Sequence, residues 1–178
     1  MLTDTLATST MGAHAKADFD ALFLMHYDGV YRLLYRIVGA RDEAEDLAQE
    51  TFARLARQRF KPGREHNLRG WLYAVASNLA FNALRSRGRR QRREETVFRL
   101  EDSGGEPDPA VVALRDDERA AVRRTLAALP ERQAQLLMLR HSGLSYREIA
   151  EALGMAPGSV GTTLARAEAA FEAAWRES

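Results

Sequence analysis

Asn78, Asn82, Arg85 and Arg89 follow one another at steps of four, three and four residues, a spacing that places them on one face of a helix. Amides and guanidinium groups in such a row are equipped for nucleic acid, because asparagine can bond base edges while arginine holds phosphates. Six arginines lie between Arg85 and Arg93, Arg90 among them, so the face runs from amides to cations. If all six neutralised phosphates, affinity would fall with salt on a log-log slope of about −5. The blander alternative is a solvated helix end running into a basic patch. Tyr73, upstream, is a candidate for stacking on an unpaired base, whereas the spacing of Trp71 suits a core position.

Two other groups stand out. In "RDEAEDLAQETFARLAR", Asp46, Gln49 and Glu50 share a polar face with Ala53 and Arg57. Five acids in its first ten residues also suit a helix N-terminus through the dipole, so a solvated, well-capped face is the competing reading. In "LSYREIAEALGMAPGSVGTTLARAEAAF", two short helices join at a glycine. Ala150 permits a close crossing, Gly154 suits the positive φ of the turn, and Pro157 fits the first turn of the second helix. Ile149, Leu153, Val160 and Leu164 would form the shared core. In a DNA-reading hairpin the second helix enters the major groove, with Ser159, Thr162, Thr163 and Arg166 outward and backbone amides near Gly158 free to hold a phosphate. A plain hairpin in a bundle remains the alternative. Gly161 inside that helix costs about 1 kcal/mol relative to alanine.

The elements that must position these groups are helical. Phe19, Leu22, Phe23, Val30, Leu33, Leu34, Ile37 and Val38 predict a long amphipathic helix from Asp18 to near Gly39. A second follows over 41–57, with Ala44, Leu47, Ala48, Thr51 and Leu55 inward. After the break at "RFKPGREHN", Asn67 can cap a third helix whose inward stripe is Leu68, Leu72, Val75 and Leu79. The acidic stretch "EETVFRLEDSGGEPDPA" reads as a flexible linker. Helical spacing resumes after Pro109 with Val112, Ala113, Val122, Leu126 and Leu129; Pro130 stops that helix and "ERQAQLLMLRHSG" supplies the next. No stretch sustains the strand period. The expected fold is all-α: two small helical domains, 18–93 and 109–176, joined by a flexible linker over 94–108, the second a helix-turn-helix.

Composition narrows the function. With 178 residues and a formal net charge of +1, any affinity for nucleic acid must be local. There is no cysteine, and His14, His26, His66 and His141 are scattered singly, so neither a disulfide framework nor a metal site is expected. No phosphate-binding glycine loop or nucleophile elbow points to an enzyme, and no cofactor is implied. The first seventeen residues lack a signal-peptide pattern and no segment has bilayer-spanning length, which predicts a soluble cytoplasmic protein with a frayed N-terminal tail.

"DEAEDLAQETFARL", "WLYAVASNLAFNALRSRGRR" and "LPERQAQLLMLRHSGLSYREIAEALGMAPGSV" resemble, in order and spacing, the sigma factors of bacterial RNA polymerase. One linker in place of further domains is similar to the extracytoplasmic-function (ECF) subgroup. The resemblance implies that Asp46, Gln49 and Glu50 dock on core RNA polymerase. It implies that Tyr73, Asn78, Asn82, Arg85, Arg89 and Arg90, with the loop "QRFKPGREHN", recognise and open the minus-ten element of promoter DNA. It gives the hairpin the minus-thirty-five element, through Gly158, Ser159, Thr162, Thr163 and Arg166, with Arg147 as a further contact. Where the family places a basic residue after the valine of the recognition helix, this sequence has Gly161. An anti-sigma partner and a monomeric free state are further implications. The alternative is a free-standing helix-turn-helix regulator, which needs neither the docking face nor the arginine track.

Overall fold

In the computed structural model, the backbone is described for residues 4–58, 67–94 and 109–177, and side chains for 19–58, 67–89 and 117–177. The described residues form seven α-helices and no strand: α1 Asp4–Val38, α2 Arg41–Arg57, α3 Leu68–Glu94, α4 Pro109–Ala128, α5 Glu131–His141, α6 Tyr146–Leu153 and α7 Val160–Arg176, with a 3-10 turn at Pro157–Ser159 before α7. The linker and most of the "RFKPGREHN" loop lie outside the described residues. One expectation is corrected. Instead of a frayed tail, α1 begins at Asp4; residues 4–17 contain no proline to stop the helix that the apolar spacing predicts from Asp18.

α1 ends where Gly39 takes a φ of 79°, its amide donating to the Tyr35 carbonyl at 2.9 Å, and α2 starts two residues later. Ala40 provides no side-chain cap for α2, and Asp42 and Glu43 in the first turn compensate through the helix dipole. Val30, Leu33, Leu34 and Ile37 of α1 meet Ala44, Ala48, Phe52 and Leu55 of α2 in the core. The Phe23 ring meets Phe52 edge-on, centroids 4.8 Å apart. Thr51, fully buried, satisfies its hydroxyl by donating to the Leu47 carbonyl at 2.7 Å.

The inward face of α3 is wider than the expected stripe. Leu72, Tyr73, Ala76, Ser77, Ala80 and Phe81 are buried, while Leu68, Val75 and Leu79 are only half-buried. The reason is that α3 packs on α1 and α2 along one side and on α5 and α6 along another. In the second half, Leu136, Leu139, Leu144, Ile149, Val160 and Leu164 carry the core; Val122, expected inward, is 37% exposed. The buried residues of both halves form one continuous cluster.

A close approach fixes α1 against α3. The Tyr73 hydroxyl occupies the space a side chain on Gly29 would fill. Gly29→Ala should therefore destabilise the protein by about 1–2 kcal/mol through overpacking, although alanine is the better helix former. In a Tyr73→Phe background the severest contact, with the hydroxyl, is gone and a tight one with the ring carbon at 3.3 Å stays, so the same change should cost less. Urea unfolding of the four proteins checks this; equal effects in both backgrounds would remove the packing argument.

Candidate nucleic-acid interface

α3 begins with a cap made by Asn67. Its Oδ1 accepts from the Gly70 amide at 2.7 Å, as expected for the helix start, and its Nδ2 donates to the Glu148 carbonyl of α6 at 2.9 Å. One side-chain amide thus fixes both the origin of α3 and the position of α6. Arg69, in the first turn, donates from Nη2 to the Ser142 carbonyl at 2.9 Å and lies 3.7 Å from the Glu148 carboxylate, with its guanidinium 5.4 Å from the Tyr73 ring centroid. Gly143, at φ 81°, forms the α5–α6 turn that Arg69 grips. On the α1 side, burial and then the Arg69 charge hold the His26 pKa below the ordinary histidine value.

Farther along α3, Asn78, Asn82, Arg85 and Arg89 are exposed on one face. Their polar groups are nonetheless engaged. Asn82 Oδ1 accepts from Arg85 Nη2 at 2.6 Å, and Arg89 Nη2 reaches Ser86 Oγ at 3.4 Å. Arg85 pairs with Glu131 at the start of α5, and Asn78 Oδ1 accepts from Gln135 one turn later. Gln135 is 6% exposed and also donates to Glu131 Oε1 at 3.0 Å, so Glu131 and Gln135 act as one unit. Arg87, within the arginine run, is paired with Glu43 of α2. The Arg90 side chain lies outside the described residues. Tyr73 departs from the expectation: it is 6% exposed, held between Gly29 and Arg69, so its ring offers no face to an unpaired base. Trp71 is partly buried against the core.

On α2, Asp46 and Gln49 are exposed opposite the buried stripe, and Glu50 forms an exposed i,i+4 pair with Arg54 at 2.9 Å. Phe52 completes the buried face and was not among the expected inward residues.

The hairpin has the turn its glycine suggested. Gly154 takes φ 59°, and its amide donates to the Ala150 and Glu151 carbonyls. Pro157 opens a 3-10 turn, not the α-helix itself, and Ser159 becomes the residue before α7. Thr162 and Thr163 donate to the Ser159 carbonyl at 3.1 and 2.7 Å, and the Ser159 hydroxyl donates to the Ala156 carbonyl at 2.7 Å. Their protons are committed to the backbone. What they can still present is acceptor lone pairs and threonine methyls, the latter suited to a thymine methyl. The Ser159 amide is also bonded, to the Ala156 carbonyl, which leaves Gly158 as the exposed part of that amide group. Arg166 is exposed, and Arg147 is largely exposed while pairing with Glu151 at 3.2 Å. A Cβ on Gly161 would sit 3.5 Å from the Tyr146 ring, an ordinary contact, so packing does not demand glycine there.

α6 is held by a capping box: the Ser145 hydroxyl accepts from the Glu148 amide, and the Ser145 amide donates to Glu148 Oε2 at 2.7 Å. The bonds from the Ser145 backbone and hydroxyl, with the Arg69 charge, hold the Glu148 pKa below the ordinary glutamate value against the opposing effect of burial. Because the folded value is the lower one, the unfolded chain binds more protons in between. This stabilisation is therefore complete above the ordinary glutamate range and is lost as pH falls through the lowered folded value. Glu148→Gln should lack that part of the acid limb when urea midpoints are compared from neutral pH downward; superimposable profiles would deny the carboxylate its role. Ser145→Ala should cost about 1 kcal/mol at neutral pH in the same assay.

The sequence expectation missed Asn67 and Arg69 as contacts to the second half, and Glu131 and Gln135 altogether. Asn67 carried a legible cap signal, but nothing local announces that its second hydrogen-bonding group spans to residue 148.

Comparison with known proteins gives this arrangement a family. Residues 22–90 match Sigma-70 region 2, and residues 119–171 match Sigma-70 region 4. The RNA polymerase sigma-H factor of Pseudomonas aeruginosa is 34% identical over 167 residues, 89% of this chain and 86% of that protein. The ECF RNA polymerase sigma factor SigE of Mycolicibacterium smegmatis is 37% identical over 157 residues; the match takes in 85% of this chain but spans only 59% of that protein's length. Among solved structures, CnrH in complex with the cytosolic domain of CnrY has a similar fold, with a TM-score of 0.60 at 21% identity over 92% of this chain and 94% of that one. The sigma factor RpoE in complex with the anti-sigma factor NepR from Bartonella quintana is similar at a TM-score of 0.58 and 23% identity, over 89% and 97% of the two chains. With two matched regions in this order and relatives aligned over most of its length, the chain belongs to the sigma-70 family of RNA polymerase sigma factors, in its ECF group.

Proposed function

We propose that this sigma factor divides promoter-directed initiation between its halves. Residues 18–93 dock on core RNA polymerase and recognise and melt the minus-ten element. Residues 94–108 connect, and residues 109–176 read the minus-thirty-five element as duplex. Asp46, Gln49 and Glu50 supply the docking face. Asn78, Asn82, Arg85, Arg89 and Arg90 follow the melted strand, while Gly158, Ser159, Thr162, Thr163 and Arg166, with Arg147, meet the upstream groove.

The observation that carries this reading is that an exposed acidic face on α2 and an amide-to-arginine ladder on α3 belong to one helical unit, with a helix-turn-helix in the other half. A free-standing regulator has use for the hairpin alone. The division also suits the two substrates, because unpaired bases need a polar surface that can follow a strand, whereas duplex needs a helix for its groove. The chain performs no bond chemistry in this scheme; it supplies promoter choice and free energy for melting. It would act in the cytoplasm, as a monomer when free, and under an anti-sigma partner of the kind found with the Bartonella protein. No helix among the described residues is long and apolar enough to cross a membrane.

The decisive experiment is size-exclusion chromatography with sigma-free core RNA polymerase, followed by run-off transcription from genomic fragments. Co-elution with promoter-dependent transcripts is expected; a folded chain that does not bind active core would sink the reading. Gln49→Ala combined with Glu50→Ala should weaken co-elution without changing the circular dichroism spectrum, and unchanged affinity would remove the docking assignment. On the promoters so obtained, Gly161→Arg should raise affinity for upstream duplex and steepen its salt dependence by about 1 unit of log-log slope. An unaltered slope would show that this position does not face the phosphates.

A further inference from the structure

We infer that Thr162 is the specificity-determining residue of the hairpin and that it reads the methyl group of a thymine, so that this chain finds its upstream element by an apolar contact and not by a donated hydrogen bond. This rests on the groove-reading role proposed for residues 109–176. The observation behind it is a census of donors. Guanine offers the major groove only acceptors, O6 and N7, so reading it takes a free N–H or O–H. Among residues 157–165 no side chain has one to give. The Ser159 hydroxyl donates to the Ala156 carbonyl at 2.7 Å, and the Thr162 and Thr163 hydroxyls both donate to the Ser159 carbonyl, at 3.1 and 2.7 Å. Gly161 and Ala165 carry no donor at all, and Arg166, the first side-chain donor along α7, comes a full turn beyond Thr162.

What this stretch can offer a base is methyl groups. Val160 and Leu164 are spent in the hairpin core and Thr163 is half-buried, whereas Thr162 is exposed. With its hydroxyl committed to the helix backbone, its Cγ2 methyl is the group left for a base. Gly161 beside it adds no side chain that could hold the helix away from the groove. The C5 methyl of thymine projects into the major groove and is an apolar partner for a threonine methyl. Cytosine lacks that methyl, and guanine meets no donor.

The test uses the chain bound to core RNA polymerase and the promoters recovered by run-off transcription. Each thymine of the upstream element, on either strand, is replaced in turn by deoxyuridine, which removes the methyl and keeps the base pair, and holoenzyme binding is measured by gel shift. At one thymine the loss should be about 3- to 4-fold, the value of one buried methyl. The salt slope should stay the same, because no phosphate contact is touched. Thr162→Val keeps a methyl and removes the hydroxyl, and should still distinguish thymine from uracil at that position. Thr162→Ser keeps the hydroxyl and removes the methyl, and should bind the two alike. A scan with no uracil-sensitive position, or a sensitivity that survives in Thr162→Ser, overturns the proposal. Loss of the distinction in Thr162→Val overturns it too, since the hydroxyl would then be the reader. Failure of the underlying reading has a different signature: replacing the whole upstream element would leave holoenzyme binding unchanged. Where that replacement weakens binding and the uracil scan is silent, the reading stands and this proposal falls.

Discussion

The structure depends on α3 being packed on two sides while keeping a polar face. A helix buried against α1 and α2 needs one apolar stripe; one that also receives α5 and α6 needs a second. α3 meets this with small residues. Ala76 and Ala80 are fully buried, and the Ser77 hydroxyl, also buried, is satisfied by the Ala74 carbonyl at 3.0 Å. Small side chains keep the neighbouring helices close, so the width left for Asn78, Asn82, Arg85 and Arg89 is narrow and strictly placed. A bulkier α3 would either push α1 away or swing the ladder out of line.

Tyr73 illustrates the same constraint in energetic terms. It is the large residue among these small ones, and its place is made by the missing side chain of Gly29. Burying the ring and stacking Arg69 against it contribute to joining α1 and α3. That use excludes a second one as a base-stacking platform. In the hairpin a similar competition is settled within the backbone, where Thr162, Thr163 and Ser159 give their protons to nearby carbonyls. In the proposed upstream role, these residues would be limited to acceptor and methyl contacts, and positive charge at the groove would have to come from Arg147 and Arg166.

Helix existence and the hairpin geometry were legible in the sequence because they are local. Proline and glycine mark the ends of α1, α4 and α6, the α2 boundaries follow from a clean apolar stripe, and Ser145 with Glu148 spells a capping box. The inward face of α3 was not fully legible. Leu68, Leu72, Val75 and Leu79 have the right type and spacing for a core, but of these only Leu72 is fully buried, and the second layer adds Tyr73 and Ala76 to the buried face. Glu131 and Gln135 were invisible for the same reason. Read locally, Glu131 is an acid in a helix first turn, and its partner Arg85 lies across the linker in sequence.

The character of this contact decides how easily it can be undone. At Asn67, Arg69, Asn78 and Arg85 it consists of hydrogen bonds and ion pairs, which water can replace nearly one for one, so their net hold is small compared with their number. Apolar burial would hold more firmly, and it is present toward the far end of α3, where Phe81 and Leu84 face Leu126 and Leu129. There, however, the helices leave a cleft of about 330 Å³ that opens to solvent past Arg85, Arg89 and Glu131. The walls of this cleft face solvent and not each other, so the part of the contact able to bind most tightly is incompletely packed. The result is a closure whose register is specified by polar pairs above an apolar core that is continuous across both halves.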